Sequence, residues 1–194
     1  MELKKSEKSV EVAEPKGAEL MHKKDNMDSY AIHEDLQKML IEQMSHELYN
    51  HNLYMSISNF YSVKGLKKLS LYYQRRAEEE YNHYMWCVSF ANEADMGYIM
   101  PAIDAISEKW GDDLIKPFNI TLDAEIDTTD MIYDMVDKAK DLEDYIFLQW
   151  LNKPGLLLEE QLEEMSLSRK ALAIMSLDDS ILAKQDAIAS LYGI

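Results

Sequence analysis

Apolar and polar positions alternate along this chain with the period of amphipathic helices, not of strands. A first long helix is expected from about Ser29 or His33 to Tyr61, with Leu36, Leu40, Glu47, His51, Tyr54 and Tyr61 recurring on one face. Lys64-Gly65 then breaks the pattern. A second helix follows from about Leu66 to Asp95, its inner stripe reading Leu69, Tyr73, Arg76, Glu80, His83, Cys87 and Phe90. Met96 to Gly111 is weakly periodic, holds two glycines and Pro101, and is too long for a turn, so it reads as a crossover.

A third helix is expected to open at Asp112, a good N-cap. Pro117 is tolerated near the first turn, where backbone donors lack helical partners. Its stripe is Phe118, Leu122, Glu125, Thr129, Ile132, Val136 and Ala139. A fourth segment starts near Asp144, meets the breaker Asn152-Lys153-Pro154-Gly155, and resumes from about Leu156 to Met175. Leu157, Glu160, Glu164, Leu167, Ala171 and Ile174 share a face there. A last short helix, about Ser180 to Leu191, is apolar on several sides, which suits packing inside an assembly. The expected fold is therefore all-α: a four-helix bundle with one long crossover, plus a short C-terminal fifth helix.

Residues 1–28 differ from the rest. They carry six Lys and seven Asp or Glu with little aromatic content, the composition of a flexible charged extension. The bundle is then residues 29–194, and it holds nearly all of the net charge of -16. So acidic a chain makes a poor nucleic-acid binder, because phosphate contact needs a basic footprint, and a poor ligand for anionic membranes. The single cysteine excludes an intramolecular disulfide framework and a cysteine-rich metal site. No apolar run approaches the roughly 20 residues of a membrane helix, and no secretory signal follows the N-terminal lysines. The expected compartment is the cytoplasm.

The chemistry lies in carboxylates set inside apolar stripes: Glu47, Glu80, Glu125, and Glu160 or Glu164. Buried carboxylates without partners cost several kcal/mol each, so four that converge require cations or protons. Glu80 and His83 form an E-x-x-H step, which projects both side chains from one side of a helix. An isolated E-x-x-H is common by chance; one inward carboxylate on every helix beside that histidine is not. Oxygen-rich ligands with a single imidazole suit iron or manganese better than a structural zinc site. His22, His33 and His46 lack such a context and read as surface residues, His51 shares the Glu47 face without further support, and Cys87 reads as core.

These residues resemble the non-haem, bacterial-type ferritins. Glu42-Gln43-Met44-Ser45-His46-Glu47-Leu48-Tyr49, with Tyr54 downstream, is similar to their first helix. Arg75-Arg76-Ala77-Glu78-Glu79-Glu80-Tyr81-Asn82-His83 is similar to the second-helix motif, and Gly97 to Pro101 to the crossover. Ile132-Tyr133-Asp134-Met135-Val136 lies seven residues after Glu125, as in the third helix. Phe147-Leu148-Gln149-Trp150 and Glu160-Gln161-Leu162-Glu163-Glu164 are similar to the fourth. The match spans about residues 33 to 192. It implies a di-iron ferroxidase centre in which Glu47, Glu80 and His83 hold the first iron, with Glu80 bridging. Glu125 and the Glu160, Gln161 and Glu164 segment hold the second, and Tyr54 sits beside the centre. It further implies oxidation of Fe(II) by dioxygen or peroxide and storage of ferric mineral in a 24-mer shell built from dimers. Asp144 is a weaker candidate for a pore lining. No histidine completes a second E-x-x-H in the fourth helix, so no haem is expected.

One departure bears on the site. Leu151 to Glu159 intervenes before the E-Q segment, so two alignments compete. In one, the fourth helix is kinked and Glu160, Gln161 and Glu164 still reach the centre. In the other, Lys153 and Pro154 take the ligand positions and the second iron site is lost, leaving a shell protein with an impaired centre. The spacing from Glu160 to the last helix favours the first.

Overall fold

A computed structural model of the chain describes residues 32–100 and 102–194; the charged extension expected at 1–28 lies outside the described residues. Among the described residues there are six helices and no strand. Helix α1 spans Glu34–Val63, α2 Lys67–Glu93, α3 Lys116–Asp141, α4 Tyr145–Leu151, α5 Leu157–Met175 and α6 Ile181–Ser190. Helices α1, α2, α3 and the α4–α5 pair form the four-helix bundle. The three-residue α1–α2 link makes those two helices antiparallel neighbours, turning at Gly65, whose φ of 76° lies in the left-handed region. The long connection 94–115 carries the chain across to α3, and α6 packs on α2 and α5.

Two apolar clusters fill the bundle on either side of its middle. One is aromatic: Tyr54, Tyr61, Tyr72, Tyr73 and Phe118, joined by Ala171, Met175 and Ile188. The other holds Leu36, Leu40, Met44, Cys87, Phe90, Ile132, Phe147 and Leu157. Complete burial of one such side chain contributes on the order of 1.5–3 kcal/mol. The polar centre described below lies between these two apolar clusters.

Three helix starts are capped by the side chain of the N-cap residue, and one start differs from the sequence expectation. His33 Nδ1 accepts from Asp35 N at the start of α1, and Ser180 Oγ accepts from Ala183 N at the start of α6. Asp144 caps α4 through Phe147 N at 3.0 Å, and its other oxygen accepts from His33 N at 3.0 Å, tying α4 to the start of α1. The third helix does not open at Asp112. Asp112 pairs with Lys64, while Asp113 accepts from Ile115 N and Lys116 N and delays the first helical residue to Lys116, with Pro117 in the first turn. The fourth helix does break: Asn152 ends α4, Gly155 takes φ of 72°, and α5 begins at Leu157.

Candidate metal centre

Every residue of the second-helix stripe, from Leu69 to Phe90, is buried. The repeat of three and four residues keeps Arg76, Glu80 and His83 on the line that faces the other helices. Helix α1 places Glu47 opposite them, α3 brings Glu125, and α5 brings Gln161 and Glu164. The buried face of α5 reads Gln161, Glu164, Met165, Ser168, Ala171 and Met175. It is therefore turned about one residue from the expected face, and Glu160, Leu167 and Ile174 are half-buried on its flank.

Two groups of ligand atoms result, each within 4.8 Å of one another: Glu47, Glu80 and His83; and Glu80, Glu125 and Glu164. Glu80 belongs to both. The exposures are 0% for Glu47, 1% for Glu80 and Glu125, and 3% for His83 and Glu164, so none of these groups is solvated. Gln161 Nε2 donates to Glu125 Oε2 at 3.1 Å and to the Glu125 carbonyl at 3.1 Å. Glu160 belongs to neither group. Lys153 and Pro154 are exposed and take no part in either.

Surrounding residues hold the carboxylates in place. Gln43 Nε2 donates to Glu47 Oε1 at 2.6 Å, and the Tyr54 hydroxyl donates to Glu125 Oε1 at 2.6 Å. Among the described residues, three buried carboxylate oxygens, Glu47 Oε2, Glu80 Oε1 and Glu164 Oε1, accept no hydrogen bond and face only the charges of His83 and Arg76 at 3.4–3.9 Å. An unpaired buried acceptor costs about 1–3 kcal/mol, more when charged. The oxygens left over are ones a bound cation would take up. The donor set of carboxylates and one imidazole fits Fe(II) or Mn(II).

The fully buried Arg76 is the cation that sequence reasoning left as a stripe residue. Its Nη2 pairs with Glu125 Oε1 and lies 3.9 Å from Glu80 Oε1. Its Nη1 lies 3.4 Å from Glu164 Oε1, 3.4 Å from Glu79 Oε2 and 3.3 Å from the Tyr192 hydroxyl. The guanidinium also faces the Tyr54 ring at 5.5 Å. The signal for this role was in the sequence: an arginine inside an apolar stripe, one turn before Glu80, must be paired if it is buried.

Protonation follows from this crowding. Burial, together with the charges of Glu164, Glu125 and Glu47, pushes Glu80 well above the usual carboxylate range. Burial raises Glu164 to about 8, against the pull of Arg76 and His83. Burial disfavours the charged form of His83, but Glu164 and Glu47 outweigh it and hold the imidazole near 9. Glu47 also meets an upward push from burial, which the hydrogen bond and charge of His83 overcome, leaving it below its usual value.

Two histidines read as uncommitted have partners. His46, expected at the surface, is half-buried, with Nε2 2.8 Å from Thr128 Oγ1 on α3 and 3.2 Å from Asn50 Nδ2. His51 Nδ1 meets the Ala77 carbonyl at 2.8 Å. Asp144 is occupied in capping α4.

The ferritin-like domain family matches residues 37–174. The chain belongs to the ferritin family. Ferritin BfrB of Mycobacterium tuberculosis is 26% identical over 132 residues, covering 66% of this chain and 69% of that protein. The bacterial non-heme ferritin of Staphylococcus saprophyticus is 28% identical over 133 residues, covering 69% and 77%. Among solved structures, an open-pore ferritin from the hyperthermophilic archaeon Archaeoglobus fulgidus superposes with a TM-score of 0.76 at 22% identity, covering 84% of this chain and 99% of that one. That likeness is one of fold. The matched segment contains every residue of the two ligand groups.

Proposed function

We propose that this ferritin subunit stores iron, and that Fe(II) is oxidised at the buried centre formed by Glu47, Glu80, His83, Glu125 and Glu164. The observation that carries this reading is the pair of ligand groups sharing Glu80, with three buried oxygens that accept no hydrogen bond among the described residues. Two Fe(II) ions held side by side by a shared carboxylate can each give up one electron to a single dioxygen. With two protons the product is hydrogen peroxide, and peroxide can serve as oxidant in turn. The protein supplies ion spacing, ligand orientation and exclusion of bulk water. Gln43 orients Glu47, Gln161 and Tyr54 orient Glu125, and Tyr54 is close enough to take a redox role. Carboxylates on the strongly acidic surface would concentrate Fe(II), and the product would collect as ferric mineral inside a 24-mer shell. The compartment in this reading is the cytoplasm.

Anaerobic Fe(II) titration of the metal-free protein, followed by stopped-flow mixing with oxygen, tests it. The reading expects Fe(II) bound at the buried groups and fast oxygen-dependent absorbance. An absence of bound Fe(II), with oxidation no faster than in buffer, would overturn it. The contact of Arg76 with all three members of the second group favours a second reading, a storage shell whose second iron position fills poorly and whose oxidation is slow.

A further inference from the structure

Arg76 stands in the second carboxylate group as a cation would. It reaches Glu125, Glu164 and Glu80, the three residues whose oxygens converge there. The first group, Glu47, Glu80 and His83, has no such arginine contact apart from the shared Glu80 at 3.9 Å. A divalent ion in the second group would sit against a guanidinium held a few ångströms away in a medium that screens little, so the two cations compete for the same oxygens. The guanidinium also has somewhere to go. Nη1 is already 3.4 Å from Glu79 and 3.3 Å from the hydroxyl of Tyr192, and that hydroxyl donates to Glu79 at 2.6 Å. Glu79 and Tyr192 thus form a perch at Nη1, the nitrogen that does not pair with Glu125, built partly by the residues that follow α6. The Tyr54 ring remains available as a face for the planar cation.

We infer that Arg76 is a resident competitor of the second metal ion. The first divalent cation binds at Glu47, Glu80 and His83, and the second binds only as Arg76 releases Glu125 and Glu164 and settles on Glu79 and Tyr192. The inference rests on the metal-centre reading above and deepens it. It makes the two positions unequal, and it links filling of the second to the C-terminal segment that carries Tyr192. Arg76 is a positioning residue that acts through the carboxylates, and Arg76→Lys does not replace it, because an ammonium cannot span Glu125 and the perch with two nitrogens.

Calorimetric titration of the metal-free, assembled protein with Co(II) under argon reads this without any turnover. The native chain is expected to show two steps per subunit, the second at least roughly tenfold weaker than the first. In Arg76→Gln the second step should tighten to within about threefold of the first. In Tyr192→Phe, which keeps the ring and its packing but removes the hydroxyl of the perch, the second step should weaken by roughly threefold or more. Should Arg76→Gln fail to assemble, the native chain and Tyr192→Phe decide between them. Two equally tight steps in the native chain would overturn the inference and leave the metal-centre reading intact, as would a second step that neither variant moves. Failure of every form to take up Co(II) would remove the metal-centre reading and the inference together.

Discussion

The two ligand groups share Glu80 but are built by different means. The first comes from α1 and α2, long unbroken helices joined by a three-residue turn, so that Glu47, Glu80 and His83 are fixed by one antiparallel contact. The second depends on α3 and on α5, which re-enters the bundle only after the break at Asn152 to Leu156, and its oxygens are contested by Arg76. In the proposed reading the difference separates two properties: holding one ion would need only the rigid α1–α2 pair, whereas holding two would need the second pair, with its counter-charge, to give way.

The largest effect should follow from removing what both groups share. Glu80→Ala with His83→Ala takes the shared carboxylate and the one imidazole among the described ligand groups, and is expected to slow initial Fe(II) oxidation by roughly 100-fold or more. Neither side chain contributes to the two apolar clusters, so assembly should persist on a sizing column. Native initial rates in the assembled double variant would sink the site assignment.

A smaller loss should come from the second group alone. Glu164→Gln keeps the volume and a polar contact for Arg76 while removing one ligand charge. Oxidation is expected to slow by roughly tenfold, with Fe(II) or Co(II) still binding at the first group. Loss of all binding in Glu164→Gln would mean that the two groups are one cooperative unit, and the contrast drawn above would fail.

How much of this could be read from the sequence differs between the same two regions. The stripe of α2 is legible residue by residue, because a 27-residue helix in contact along its length leaves the phase of its period unambiguous. The phase of α5 is not legible. The break at Pro154-Gly155 resets the helical phase, and both Glu160 and Gln161 fit an apolar stripe until the structure turns Gln161 inward. Asp113 displaces Asp112 as the start of α3 for a related reason: adjacent acids offer the same capping chemistry, and only the pairing of Asp112 with Lys64 decides between them. That a buried Arg76 must be paired is legible, but its contact with Tyr192, distant in sequence, is one that no local pattern reports.

Protonation offers a further way to sharpen the comparison. Glu164 rises from 4.5 to about 8 and His83 from 6.5 to about 9 on folding. Both bind protons more tightly in the folded state, so their contribution to stability is present at low pH and is lost as pH rises through their folded values. Metal-free protein should therefore melt at progressively lower temperature between about pH 5 and pH 9. Zn(II) at the alkaline end should reverse the loss, because the cation replaces the protons as the partner of the buried oxygens. A melting temperature that is flat or rises over that window would show that the carboxylates are not crowded as described.

The smallest effect is expected at the break itself. Gly155 holds φ at 72°, and a Cβ placed there meets nothing within 4 Å. Gly155→Ala should therefore cost only the backbone preference, about 1 kcal/mol, visible in chemical or thermal denaturation. Its amide donates to Glu159 Oε2 at 2.7 Å, and that contact lies on the exposed side of α5, away from Gln161 and Glu164. Oxidation rate and metal affinity should be unchanged. That result would make the break a spacer that lets α5 re-enter in register. A rate that fell together with stability would instead make the bend part of what positions Glu164, and the second ligand group would then depend on backbone strain as well as on Arg76.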